Sequence, residues 1–305
     1  MIITSITEAI GQTPLYQFTA KDYPMPKGST IYAKLEYLNP GGSIKDRLGH
    51  YLLLNGFASG KITKDTVIIE PTAGNTGIGL ALSALKYQLK TIFVVPEKFS
   101  IEKQQLMKAL GATIIHTPSE DGIKGAIEKS KILAAEIENS YLPLQFENPD
   151  NPAAYYHTLG SELFQELNGS IDSFVAGIGS GGTFAGTATF LKEQLPDIRL
   201  IGVEPEGSIL NGGPSHSHEI EGIGVEFVPP FLSSLTIDQF ETISDQEGFD
   251  FTRQLAKNQA LLVGSSSGAA FAAALKEIQR LPQGQRVVTI FPDAADRYLS
   301  KHIYP

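Results

Sequence analysis

Three stretches of the sequence carry residue types that can do chemistry. The first is Asn39-Pro-Gly-Gly-Ser43-Ile-Lys45-Asp-Arg47. Ser43 reads as a helix N-cap, and Ile44, Leu48 and Leu52 fall on one face of the helix behind it. Lys45 then lies in the first turn on another face, where the positive end of the helix dipole disfavours a cation. A lysine so placed has its pKa pushed down, more so when buried, and a neutral amine is what Schiff-base chemistry requires. A solvated helix lysine is the plainer reading. The second stretch, Gly177-Ile-Gly179-Ser-Gly-Gly182, fits GxGxxG between a strand and a helix, and Glu204 follows 22 residues after Gly182. That is a dinucleotide fingerprint, although backbone N–H groups at a helix start bind any phosphate and a tight turn needs the same glycines. The third, Gly264-Ser-Ser266-Ser-Gly268, matches GxSxG, and Asp293 and His302 follow in the chain order of an α/β-hydrolase. Against a triad, Asp293 and His302 are only nine residues apart and no HGGG-type motif occurs. A polar helix cap explains the serines as well.

Separately the three motifs invite three answers. Together they supply an activated lysine, a cradle for a monophosphate and a hydroxyl at another strand end. Pyridoxal phosphate needs those parts: a Schiff-base lysine, a phosphate site and a partner for its ring nitrogen.

The elements that must position these residues follow from periodicity. Val67–Glu70 runs into PTAGNTG, Ser173–Ala176 into GIGSGGT and Ala260–Val263 into GSSSG, and each turn precedes a helical stretch, roughly 75–87, 182–195 and 267–280. Further strands are expected at Thr91–Val95, Thr113–His116, Arg199–Val203 and Val287–Phe291. Further helices are expected at about 44–55, 101–110, 122–139, 152–167 and 246–257. Alternation of this kind gives an α/β fold of doubly wound, mostly parallel sheets, with ligands at the carboxyl ends of strands. The 305 residues suffice for two such domains. Residues 206–232 lack periodicity, and loops of that length are often functional.

Composition removes whole classes. With 42 % hydrophobic and 19 % charged residues the chain can bury a core, so disorder does not describe it. A net charge of −9 without a basic stripe argues against nucleic acid. No cysteine means no disulfide, thiolate metal site or cysteine nucleophile, and no metal is expected. No signal peptide or membrane-length apolar run is found, so a soluble, cytoplasmic protein is expected.

The motifs also carry a resemblance over essentially the whole chain. IGQTPL (10–15), KLEYLNPGGSIKDR (34–47), EPTAGNTG (70–77), VPEKFSIEKQ (95–104), GIGSGGT (177–183), VEPEGSIL (203–210), EGIGVEF (221–227), GSSSGAA (264–270) and FPDAADRYLS (291–300) resemble fold-type II pyridoxal-phosphate enzymes of the cysteine synthase/cystathionine β-synthase family. The resemblance implies a tryptophan synthase β-like fold. A smaller, mobile, substrate-gripping domain would comprise 1–12 and 36–147, and a larger cofactor-phosphate domain 13–35 and 148–305. It implies Lys45 as the Schiff-base lysine, Asn75 on the cofactor's ring 3′-oxygen, Gly179, Ser180, Gly181, Gly182 and Thr183 around the phosphate, Ser266 at the pyridine nitrogen, and Pro292 beside the cofactor. Thr72, Ala73, Gly74, Asn75, Thr76, Gln145 and Gly222 would surround the amino-acid substrate. On this reading the glycine loop holds a phosphate without a dinucleotide, and Ser266 works without a triad.

The implied reaction is β-replacement on L-serine or O-acetyl-L-serine. The substrate amine would displace Lys45, the freed lysine would take and later return the α-proton, and a thiol would replace the β-substituent. GIGLAL, VEPEGSIL, EGIGVEF and the Pro-Asp of FPDAADRY lean toward cystathionine β-synthases of the compact bacterial kind, so homocysteine is the expected thiol and sulfide the alternative. Ala73 departs from the TSGNTG of many cysteine synthases, which removes a hydroxyl from the substrate loop. Neither haem nor adenosylmethionine regulation is expected, and a homodimer is.

Overall fold

The structure is a computed structural model and describes residues 2–72 and 74–304. The chain runs through β1 (Leu15–Phe18), β2 (Thr30–Leu35), α1 (Lys45–Ala58), β3 (Val67–Pro71), α2 (Asn75–Leu85), β4 (Lys90–Pro96), α3 (Ile101–Ala109), β5 (Thr113–Thr117), α4 (Gly122–Glu136) and β6 (Ser140–Tyr141). It continues through α5 (Asp150–Tyr155), α6 (Ser161–Glu166), β7 (Ser173–Gly177), α7 (Gly182–Gln194), β8 (Arg199–Pro205), β9 (Gln239–Ile243), α8 (Asp245–Gln259), α9 (Ser265–Arg280) and β10 (Arg286–Phe291). The strands form a six-stranded sheet in the order β1-β2-β10-β7-β8-β9 and a four-stranded sheet in the order β5-β4-β3-β6. Among the strands of the described residues only β1 and β2 pair antiparallel. The other pairings are parallel, in registers such as Val288 with Tyr32 and Glu70 with Phe93. The chain is therefore mixed α/β with mostly parallel sheets.

Helices cover both faces, which is why β7, β8 and β10 are buried along almost their whole length instead of alternating. One core joins Leu48 and Leu52 of α1, Ile78 of α2 and Phe93 of β4 to Tyr155, Phe174 and Phe184. A second gathers Phe18, Val175, Val203, Phe271 and Phe291 under α8 and α9. Each such side chain contributes about 1.5–3 kcal/mol by leaving water.

The contact of α1 with α2 matters most for chemistry. A Cβ on Gly49 would strike the backbone of Gly79, and a Cβ on Gly79 would strike the carbonyl of Lys45. The two helices thus meet backbone to backbone, and that contact fixes the first turn of α1.

Several expectations need correction. Ala260–Val263 is not a strand. Ala260 ends α8 in the left-handed region at φ 57°, and Val263 makes one isolated bridge, to Ala294. The expected helix 152–167 is two helices joined by a π turn at Tyr156–Gly160. Strands β1, β2, β6 and β9 were not expected. In β2 the polar residue that breaks the apolar pattern, Lys34, is fully buried and donates to Glu166 at 2.7 Å and to the Thr13 carbonyl at 2.6 Å. Ser43 stands one residue further from α1 than a cap, although its Oγ accepts the Lys45 N–H at 3.2 Å. Residues 206–232 are irregular apart from a short turn at Pro230–Leu232. No helix among the described residues is long and apolar enough to cross a membrane.

Candidate active site

Lys45 opens α1, and Ile44, Leu48 and Leu52 anchor that helix from below with at most 4 % exposure. The lysine side chain is part-buried, its Nζ 5.8 Å from the centre of the Tyr155 ring. Burial pushes its pKa down to about 8. Asp46 beside it is fully buried, accepts the Gly41 N–H and is pushed up to about 7 by burial. Desolvation therefore drives this helix start toward neutral groups.

The glycine loop follows β7. Gly181 has φ 84°, a conformation that favours glycine, and Gly182 opens α7. The side chain of Asn151, on α5, occupies the space a Gly182 Cβ would need. Asn151 Nδ2 donates to Ser180 Oγ at 3.1 Å and to the Gln145 carbonyl at 2.6 Å. The Gly222 carbonyl lies against Gly179. The buried Tyr155 hydroxyl lies beside Thr183 and has no hydrogen-bond partner among the described residues. Backbone donors at a helix start, with glycine-only clearance and an orphaned hydroxyl beside them, suit a phosphate.

A second gripping loop follows β3. Thr72 Oγ1 accepts the N–H groups of Gly74 (3.0 Å) and Gly77 (3.2 Å), and Gly74 takes φ 136° so that Asn75 and Thr76 open α2. Thr76 Oγ1 donates to Gln145 Oε1 at 2.8 Å. The N–H groups of Leu144 and Gln145 are in turn held by buried Glu70, at 2.8 and 3.0 Å. Burial pushes Glu70 up to about 8 against those two bonds. Ala73 lies outside the described residues.

The carboxyl end of β10 joins these pieces. The Pro292 carbonyl accepts the Ile44 N–H at 2.8 Å, Asp293 bridges Ser43, and the Asp293 carbonyl accepts the Gly264 N–H at 2.9 Å. Gly264 precedes α9, whose first turn buries Ser266 to 3 % exposure. Asn75 Nδ2 donates to Asp293 Oδ2 at 2.6 Å. Contacts thus link Lys45, Asn75, Thr72, Gly74, Thr76, Gln145, the 179–183 loop, Gly222, Pro292 and the start of α9 at one end of the two sheets.

A family model described as "Pyridoxal-phosphate dependent enzyme" matches residues 6–293. The chain belongs to that family. It is 72 % identical over 304 residues to a Helicobacter pylori protein named cysteine synthase, covering 100 % of this chain and 99 % of that one. It is 57 % identical over 303 residues to the O-acetylserine dependent cystathionine beta-synthase of Bacillus subtilis, covering 99 % and 98 %. The crystal structure of an O-acetylserine dependent cystathionine beta-synthase from Helicobacter pylori superposes with a TM-score of 0.99 at 72 % identity over 100 % of both chains.

Membership in a pyridoxal-phosphate dependent family agrees with what became of the two competing motifs. Glu204, the acid a dinucleotide would need, is 1 % exposed and already accepts from Leu210, Asn211 and Thr242. The hydrolase triad does not assemble: Asp293 faces Asn75 and Tyr298, while His302 is exposed at the end of the last turn.

Sequence reasoning missed Glu70, Asn151, Tyr155 and Arg297. Asn151 sits in NPDNP and Arg297 in DRY, short polar motifs whose only signal is their chain position, since both act through contacts across more than one element. Tyr155 reads from sequence as ordinary core.

Proposed function

We propose that this enzyme catalyses β-replacement on O-acetyl-L-serine or L-serine by a thiol, with homocysteine giving L-cystathionine. The observation that carries the reading is Lys45: an amine with its pKa lowered by burial on a helix start, its carbonyl against Gly79 of α2 and its Nζ 5.8 Å from the centre of the Tyr155 ring. The likeness to the Bacillus subtilis protein and to the Helicobacter pylori crystal structure, both named for O-acetylserine-dependent cystathionine synthesis, supports homocysteine. The relative named cysteine synthase supports sulfide as the second reading.

Bound pyridoxal phosphate supplies an aldehyde for amines and an electron-withdrawing ring. The chain's residues do the rest. Gly179–Thr183 and the start of α7 would hold the phosphate, Ser266 would offer the ring nitrogen a neutral hydroxyl, and Asn75 would meet the ring oxygen. The start of α2, with Thr72, Thr76 and Gln145, holds the substrate carboxylate through N–H and hydroxyl donors. Lys45, whose pKa burial lowers from 10.5 to about 8, would take the α-proton and return it at short range. Across the reaction Cβ loses acetate or water and gains a C–S bond. Residues 1–12 and 36–147, built on the four-stranded sheet, form the unit that closes on the rest and excludes water. A cytoplasmic homodimer is part of the same reading.

Product analysis tests it. The cofactor-loaded enzyme is given O-acetylserine or serine, each with homocysteine or sulfide. Cystathionine from homocysteine is expected; turnover with sulfide and none with homocysteine would establish the second reading instead.

A further inference from the structure

The side chain of Asn75 is held between two residues of the C-terminal segment, and their chemistry leaves it one orientation. Its Nδ2 donates to Asp293 Oδ2 at 2.6 Å, and its Oδ1 accepts from Arg297 Nε at 3.0 Å. A carboxylate only accepts and a guanidinium only donates, so the amide cannot turn over without losing both bonds. Asp293 and Arg297 are each 2 % exposed, so water does not replace them. Asp293 also accepts the Tyr298 hydroxyl, and Arg297 donates to the Gly41 carbonyl in the loop before Lys45. The Asp293 backbone meanwhile touches Ser43 and Gly264. One residue therefore has contacts to the segments carrying Lys45, Asn75 and Ser266, the three side chains read above as contacting the cofactor ring.

We infer that Asp293, with Arg297, is a positioning residue. It locks the Asn75 amide so that the second Nδ2 hydrogen is presented to the cofactor's ring oxygen, and it sets the spacing of the three ring-contacting groups. Neither residue has a part in the mechanism above. The inference rests on the reading of Asn75 as the ring-oxygen partner. Its physical content is charge-assisted: an amide whose first hydrogen is given to a buried carboxylate has a fixed direction for its second. Because Asn75 opens α2 while Asp293 and Arg297 follow β10, the lock forms only when the two sheets are seated as seen here.

The test uses the cofactor-loaded enzyme without substrate and reads the visible absorption of the Lys45-linked cofactor. A donor at the ring oxygen favours the form in which that oxygen is deprotonated. Asn75→Ala and Asp293→Ala should each lower the ratio of deprotonated to protonated forms, by about two- to tenfold for the loss of one hydrogen bond. The double variant should match Asn75→Ala alone, because Asp293 acts through Asn75. One oxygen, Oδ2, already accepts from both Asn75 and Tyr298. Asp293→Asn keeps an oxygen for them but removes the negative charge that strengthens the bond, so the ratio should fall between wild type and Asp293→Ala. This variant keeps the shape and serves if the alanine does not fold. An Asp293→Asn spectrum identical to wild type would overturn the proposal, as would a loss of thermal stability in Asp293→Ala with the ratio unchanged, or effects that add in the double variant. A wild-type protein that takes up no cofactor, or an Asn75→Ala spectrum that does not move, would sink the parent reading and this one with it.

Discussion

Replacing Lys45 by methionine should make the cofactor-free protein more stable. The lysine has a folded pKa of about 8 against an ordinary 10.5, and burial is the cause. Because the folded-state value is the lower one, the unfolded chain binds more protons between these limits, and stability rises with pH across them. At pH 7 the folded protein either discharges the amine or keeps a poorly solvated cation. The cost from the two pKa values is about 3 kcal/mol, an upper figure because the side chain is only part-buried. Methionine keeps the length and has no charge to desolvate. Urea unfolding of the two cofactor-free proteins should therefore show the variant ahead at pH 7, by up to about 3 kcal/mol, with the gap closing above pH 10. Taking the difference between the two proteins cancels the titration of the buried carboxyls common to both. A variant less stable than wild type at pH 7, or a gap that does not change with pH, would refute the claim that desolvation holds this amine.

Gly79→Ala should drive α2 away from the Lys45 carbonyl, costing about 1–3 kcal/mol of stability and moving the lysine enough to lower kcat about 10²-fold. Steady-state kinetics with urea unfolding would check both, and native kcat would show that the helix contact does not place Lys45. Glu70→Gln should leave an amide nitrogen facing one of the two N–H groups that Glu70 now accepts, destabilising the fold by about 1–3 kcal/mol. It should also raise the KM for the amino acid through a displaced Gln145; an unchanged KM would limit Glu70 to stability alone.

The sequence made the parallel α/β plan legible because both signals it uses are local. Apolar runs such as Val67–Glu70 and Ser173–Ala176 end in glycines that only a tight turn explains, and both became strands followed by helices. What it hid is non-local. β2 contains a lysine whose partner, Glu166, is 132 residues away, so its burial has no sequence signature. Val263 looked like a strand end because it is β-branched and precedes a glycine, yet the left-handed Ala260 had already turned the chain. In the site, Lys45 and the glycine loops were legible because each sits at a strand–helix or loop–helix turn. Asn151 and Arg297 were not, because what they do is bridge segments far apart in the chain.

Burial acts on the carboxyls as well as on the amine. Asp46 is pushed up to about 7 and Glu70 to about 8, so near neutrality both spend much of their time protonated. The charges that act on Asp46 are Arg297 and Arg47, which lower its pKa, and Glu36, which raises it, while Lys45 shifts by burial alone. Adjacent positions on a helix point in different directions, so the two groups should titrate separately. Competitive labelling of Lys45 in the cofactor-free protein should give a single-group curve with a midpoint near pH 8 that Asp46→Asn leaves unchanged. A flattened wild-type curve that Asp46→Asn sharpens would show instead that the neighbouring carboxylate, and not burial alone, sets the lysine's charge.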